Sequence, residues 1–177
     1  MGTLDEAAMV ADVLGGDPEA FARLFARFRP LVFSAAFRIT GDADVAEDVV
    51  QETFLKIHGA LRGFRPEARL STWIYRIAVN AALDERRRAK RRPVTESRHD
   101  GPLPEPAWIA PEAGAGDRIR EAVAALPPRE KAVFVLRHYE GLAVAEVAEV
   151  LEIAPGTVKA ALHHALAKLA DRLRDLR

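Results

Sequence analysis

The sequence contains no cysteine, so disulfides and thiolate-held zinc are excluded. No apolar run approaches the roughly 18 residues of a membrane span. The start lacks a basic region followed by an apolar core, so no secretion signal is expected and the cytoplasm is the expected location. There is no glycine-rich phosphate cradle, no HExxH and no nucleophile motif. His58, His99 and His138 are scattered. The adjacent His163 and His164 would point about 100° apart on a helix, a poor metal site. No enzyme activity, metal or cofactor is expected. Net charge is lacking too, since 26 Lys+Arg balance 26 Asp+Glu.

That zero is a cancellation between segments, which carries information of its own. Residues 1–20 hold 5 acids and no base, and 42–61 hold 5 acids and one lysine. From Arg62 to Arg92 there are 10 Lys/Arg against 3 Asp/Glu. The stretch from Asp44 to Arg92 therefore begins acidic and ends in a basic run, with Ser71-Thr72-Trp73-Ile74-Tyr75-Arg76 between.

Apolar spacing throughout is helical, so an all-α fold is expected. Residues 1–16 read as a short amphipathic start or a frayed tail. Asp17 is expected to cap the next helix, with Pro18 at its first position. Pro30 should kink or divide that helix near Arg29. Asp44 is expected to cap a helix running to about Leu61. Ala46, Val49, Val50, Thr53, Phe54, Ile57 and Leu61 share one face of it. Asp48, Gln51, Glu52 and Leu55 share the other. Periodicity alone leaves two readings of that second face, a solvated surface with acids near the N-terminal dipole or a docking surface.

Gly63 to Leu70 reads as a loop with Arg65, Pro66 and Arg69. Ser71 can cap a helix to about Arg91, with Arg76, Asn80, Asp84 and Arg87 in line on one face. Guanidinium and amide groups there suit phosphates and base edges. Trp73 is expected in the core, and Tyr75 is open between packing and stacking on an unpaired base. Residues 93–116 hold five of the 11 prolines and form a linker, with Trp108-Ile109 as a possible docking point.

Asp117 can cap a short helix to Leu126. A further helix opens at Pro128 and stops at Gly141. Ala143–Leu151, a turn at Glu152-Ile153-Ala154, and Pro155 to about Leu173 form a helix-turn-helix pattern. Val147, Leu151, Ile153, Val158 and Leu162 sit where the two helices pack, and the second helix would enter the major groove.

Taken together, these segments resemble bacterial sigma factors of the extracytoplasmic-function group, in the sigma-70 family. The matching stretches are Gly16-Asp17-Pro18-Glu19-Ala20-Phe21, Ala46-Glu47-Asp48-Val49-Val50-Gln51-Glu52-Thr53-Phe54 and Trp73-Ile74-Tyr75-Arg76-Ile77-Ala78-Val79-Asn80. Further along they are Leu126-Pro127-Pro128-Arg129-Glu130, Tyr139-Glu140-Gly141-Leu142 and Gly156-Thr157-Val158-Lys159. The resemblance implies two small helical domains. Residues 1–92 would be sigma region two, 93–116 the linker and 117–177 region four. It implies that Asp48, Gln51, Glu52 and Leu55 meet the clamp helices of core RNA polymerase. Arg65, Arg69, Ser71, Thr72, Tyr75, Arg76, Asn80, Arg87 and Arg88 would contact the melted minus-ten strand and its flanking phosphates. Pro155, Thr157, Lys159, Ala160 and His163 would read a minus-thirty-five element of promoter DNA, while the flank of region four meets the polymerase flap. An anti-sigma factor is an expected partner.

The second half departs from the family pattern. A hydroxyl residue is usual at 143, glycine at 152 and serine or threonine near 154, where this chain has Ala143, Glu152 and Ala154. Each lost cap costs about 1 kcal/mol, and a left-handed Glu152 roughly 1 kcal/mol more. Ala160, Ala161 and His164 stand where serine and two arginines are usual. Residues 117–177 hold 10 Lys/Arg against 9 Asp/Glu. Weak DNA binding by this half is expected, with Ala161→Arg strengthening it and the histidines restoring charge below about pH 6.5. The alternatives are a helix-turn-helix regulator working without polymerase, or a decoy that binds polymerase without a promoter of its own. Stoichiometric co-purification with core polymerase separates the regulator from the other two.

Overall fold

The computed structural model of the chain describes residues 3–65, 69–91 and 115–174. The linker with Trp108 and Ile109 lies outside them, as do Pro66 and Arg92. The described residues form eight α-helices and no strand.

The first half contains α1 (Thr3–Leu14), α2 (Ala20–Thr40), α3 (Ala43–Ala60) and α4 (Leu70–Arg91). Helix α1 occupies the segment expected as either a short amphipathic start or a frayed tail, and the first of these holds. It is anchored because Val10 joins Leu24 and Phe28 in one buried cluster. Its Glu6 carboxylate also accepts the Leu70 N–H at 2.8 Å. That bond supplies α4 with the capping expected from Ser71, which instead lies inside the first turn.

Three further expectations shift by local geometry. The Asp17 carboxylate accepts from the Glu19 N–H at 2.9 Å, so it closes the turn before α2, and the helix begins at Ala20 rather than at Pro18. Pro30 does not divide α2. It is exposed, as is Ala26, so the carbonyl that loses its partner faces water. Asp42, not Asp44, caps α3, because Asp42 holds the extended backbone of an N-cap and its side chain accepts from the Asp44 and Val45 N–H groups at 2.9 and 3.1 Å. Gly41, at φ 80°, ends α2 in the left-handed conformation that favours glycine.

The second half contains α5 (Ala115–Ala124), α6 (Pro128–Phe134, continued by one π turn over Val135–Tyr139), α7 (Val144–Leu151) and α8 (Pro155–Arg172). Helix α5 starts before Asp117, which therefore pairs with Arg120 inside the first turn instead of capping. Pro128 and Gly141 stand where they were expected to start and stop their helix. Helices α7 and α8 form the helix-turn-helix. Val147 and Val158 are fully buried there, with Leu151, Ile153 and Leu162 packed at the margin.

Composition suggested two tethered units, but the described residues share a core. Ala36 and Ile39 of α2 and Val79 and Leu83 of α4 lie in one cluster with Val133 and Leu136 of the α6 segment and Val147 of α7. Lys131 is buried in that contact, with Nζ 3.4 Å from the Ile39 carbonyl. Arg86 Nη1 donates to the same carbonyl at 3.1 Å. Burial first, and then the Arg86 charge, pull Lys131 down to about 8. Above that pH the folded chain holds Lys131 neutral, while an unfolded chain keeps it protonated up to its ordinary 10.5. Unfolding then takes up a proton, so this residue makes stability rise with pH across that window, by at most about 1.4 kcal/mol per pH unit. Subtracting the stability profile of Lys131→Met from that of the wild-type chain should leave a positive slope between pH 8 and 10. A flat difference would show that the ammonium is not desolvated.

Candidate functional site

Two surfaces of the first half carry the chemistry anticipated from the sequence. On α3, the buried face is Ala46, Val49, Val50, Thr53, Phe54 and Ile57. The opposite face presents Asp48, Gln51 and Leu55 to solvent, with Glu52 half-buried. Leu55 is 75% exposed among acids, more than any other large hydrophobic side chain described. Glu52 pairs with Lys56 one turn on, at 2.7 Å. Such a surface pair contributes little to stability, so it holds the carboxylate only lightly. An apolar knob ringed by acids on a rigid helix is a surface for a basic protein partner. Arg29 pairs with Glu47 at the border of this face.

The second surface joins the turn Leu61–Gly63 and its following loop to the first two turns of α4. Gly63, Phe64, Arg65, Thr72, Trp73 and Arg76 line a cavity of about 280 Å³, and Glu149 of α7 lines it from the other side. Trp73 is half-buried against Phe64, ring centroids 5.5 Å apart, so it is both core and cavity wall. An aromatic pair with two guanidinium groups can stack on an unstacked base and neutralise its phosphate. Asn80, Arg87 and Arg88 lie exposed farther along α4. Arg87 pairs with Asp84 and Arg88 with Glu85, at 2.7 and 3.2 Å within the helix.

The other sequence-selected residues on this face are occupied. Thr72 is buried and Ser71 half-buried. Tyr75 is only 5% exposed, and its hydroxyl donates to Glu140 Oε2 at 2.7 Å. Burial, then the Glu140 charge, hold that phenol well above its ordinary value, so it stays a donor. Arg69 and Arg76 reach Glu146 and Glu152 of the second half at 3.1 and 3.7 Å. The sequence left Tyr75 open because its partner is 65 residues away.

On α8, Pro155, Thr157, Lys159, Ala160 and His163 all face solvent, as the recognition helix of a helix-turn-helix requires. The lost caps are real at the starts of both α7 and α8. Ala143 and Ala154 make no side-chain cap, although Glu146 accepts the Ala143 N–H at 2.7 Å. Glu152 adopts φ 53°, the left-handed region where glycine is usual. Ala161 corrects one expectation. It is half-buried against the shared cluster, so an arginine there would disturb packing. The exposed Ala160 is the position for a new phosphate contact. Ala160→Arg should steepen the salt dependence of duplex DNA binding by about 0.9 in log–log slope, read by titration at several salt concentrations. An unchanged slope would place α8 away from phosphate. Among the described residues no three His, Asp or Glu side chains form a metal-binding group, and no helix is long and apolar enough to cross a membrane.

Known proteins agree with this geometry. Residues 24–92 match the family Sigma-70 region 2, and residues 116–169 match Sigma-70 region 4. The ECF RNA polymerase sigma factor SigW of Bacillus subtilis is 30% identical over 94% of this chain and 96% of its own length. SigL of Mycobacterium tuberculosis, also an ECF RNA polymerase sigma factor, is 34% identical over 96% of this chain and 97% of its own. Among solved structures, CnrH in complex with the cytosolic domain of CnrY superposes with a TM-score of 0.72 at 26% identity, over 96% of this chain and 97% of that one. RpoE of Bartonella quintana, solved with the anti-sigma factor NepR, shares the fold with a TM-score of 0.73 at 21% identity, over 90% and 99% of the two chains. With matches in both halves, in order and over nearly its whole length, the chain belongs to the sigma-70 family of RNA polymerase sigma factors, in its ECF group.

Proposed function

We propose that this sigma factor divides its work between the two faces of its first half. The acidic ring around Leu55, made by Asp48, Gln51 and Glu52, docks on core RNA polymerase. The cavity between Phe64 and Trp73, flanked by Arg65, Arg69 and Arg76, takes the separated minus-ten strand, with Thr72 and Tyr75 joining once the second half moves away. Asn80, Arg87 and Arg88 hold adjacent phosphates. Helix α8 meets the minus-thirty-five region through Lys159 and its neighbours. On this reading residues 1–92 and 117–177 are the working units and 93–116 their tether, and the chain acts in the cytoplasm, where polymerase and promoters are.

The observation that carries the reading is the opposition of the two faces. The strand-binding cavity on the turn and α4 has its cations, while α3 presents Leu55 and its acids. No covalent chemistry is needed. A binder that prefers the splayed strand offsets the cost of unstacking, and attachment to polymerase raises the effective concentration of both DNA-binding surfaces. CnrH and RpoE were each solved with a partner, the cytosolic domain of CnrY and the anti-sigma factor NepR. By analogy, an anti-sigma factor is a partner for this chain.

The test is transcription in vitro. Core polymerase with this chain, given fragmented genomic DNA, should yield transcripts whose 5′ ends lie at a fixed distance from a shared upstream element. Transcripts without a shared element would refute promoter selection. Stable binding to core without any transcript would favour the decoy.

A further inference from the structure

We propose that the cavity between the last turns of α4 and the start of α6 binds a phosphate or diphosphate group. Leu83, Arg86 and Arg87 line it from α4, and Pro128 and Arg129 line it from α6, around about 150 Å³. It shares no residue with the Phe64–Trp73 cavity, so it stands whether or not that cavity takes a DNA strand.

The site holds positive charge with little to answer it. Arg86 Nη1 and the buried Lys131 Nζ converge on one acceptor, the Ile39 carbonyl, at 3.1 and 3.4 Å. A single carbonyl leaves most of their N–H donors without a described acceptor. Among the described residues no carboxylate pairs with Arg86, Arg129 or Lys131. The neighbouring acids are engaged elsewhere, Asp84 with Arg87, Glu85 with Arg88 and Glu130 with Lys168. What faces the two converging cations is the C-terminus of α2, equivalent to about half a negative charge. Like charges held half-buried without a counter-ion cost the folded chain free energy. Lys131 registers that cost, since burial first and then the Arg86 charge pull it below its ordinary value.

The arrangement selects the kind of anion. Guanidinium forks match pairs of phosphate oxygens, a fit that a point-like ammonium lacks. The arginines approach from two helices, which suits a tetrahedral anion with oxygens on every side better than a planar carboxylate. Arg87 can join them, because its pair with Asp84 is an exposed contact within one helix and holds it lightly. Leu83 and Pro128 supply apolar walls, and polar contacts strengthen where water is kept out. The cavity has room for one or two phosphate groups, and a nucleoside would remain outside. Free phosphate or diphosphate and the terminal phosphates of a nucleotide therefore present the same chemistry to it.

The full chain is titrated with inorganic phosphate, pyrophosphate and ATP, without magnesium, each against sodium chloride of equal ionic strength. Calorimetry reads the affinity, and a thermal melt reads the stabilisation that a ligand of the folded state confers. Pyrophosphate is expected to bind and to raise the melting temperature. Arg86→Gln/Arg129→Ala should weaken it by at least about tenfold, through loss of charge-assisted contacts. Glutamine at 86 can still donate to the Ile39 carbonyl, and a melt without ligand checks that the variant folds. Arg129→Ala alone removes an exposed side chain with no described partner and should weaken binding in the same direction. The charge-matched control Arg118→Ala/Arg172→Ala, exposed positions away from the cavity, should bind as the wild-type chain does. ATP bound as tightly as pyrophosphate would make nucleotides a source of the group, and ATP refused would leave the free anion; either supports the site. No binding beyond that of chloride by any of the three would overturn the proposal. So would full affinity in both cavity variants, which would put the anion elsewhere, or an equal loss in the control, which would reduce the effect to bulk charge.

Discussion

Reversing Asp48 and Glu52 to lysine should reduce affinity for core polymerase by about a hundredfold or more while leaving the fold intact. Both side chains sit on the solvent face of α3, opposite the buried Val49, Val50, Phe54 and Ile57. Neither contributes to the core, so the melting temperature should hardly move. Against a basic partner, two reversed charges replace attraction by repulsion beside a partly desolvated leucine. Close interfacial charge pairs couple by about 1.5–7 kcal/mol, and about 3 kcal/mol corresponds to a hundredfold. Pull-down and equilibrium titration with core polymerase read the change. Leu55→Asp should act in the same direction, because it removes the apolar centre of the contact. Retained affinity in both variants would move polymerase binding elsewhere on the chain.

The second large effect concerns DNA opening. Arg69→Ala/Arg76→Ala should lower transcription from duplex promoters by tenfold to a hundredfold, and much less from a template already mismatched over the minus-ten region. Arg76 lines the cavity walled by Phe64 and Trp73, and Arg69 stands just before α4, paired with Glu146. A hydrogen bond to a charged group contributes about 1.5–3 kcal/mol, so losing two guanidinium contacts to a parted strand weakens its capture against re-pairing. A pre-opened template has no re-pairing to oppose, and activity should largely return. The two salt bridges lost with them are surface pairs, with Glu146 half-buried and Glu152 exposed, and matter little to stability. Equal losses on duplex and mismatched templates would mean that these arginines serve another step.

Much of this was legible because helical period and turn residues are local. Pro128, Gly141 and the Ala143–Leu173 pattern placed the helix-turn-helix with no tertiary information. The two faces of α3 followed from spacing alone, although spacing could not choose between solvent and partner. Boundaries slipped where several capping candidates competed. Asp42 and Asp44 are both aspartates, and only the backbone of Asp42 is extended. Residues 1–16 were left open between an amphipathic start and a frayed tail because the anchors of α1, Val10 in the core and Glu6 on the Leu70 N–H, depend on residues far along the chain. The union of the halves was illegible for the same reason. Val133, Leu136 and Val147 look like the core of a small separate domain, and nothing local marks them as facing Ile39 and Val79. Lys131 is instructive here, because a lysine early in an amphipathic helix reads as solvated until its burial against Ile39 is seen.

Position-specific photocrosslinking in the transcribing complex examines the division of labour most directly. A photoreactive residue at Leu55 should attach to a polymerase subunit and not to DNA. The same residue at Asn80, exposed on α4, should attach to promoter DNA near the minus-ten element. Leu55 joined to DNA, or Asn80 joined only to protein, would contradict the account.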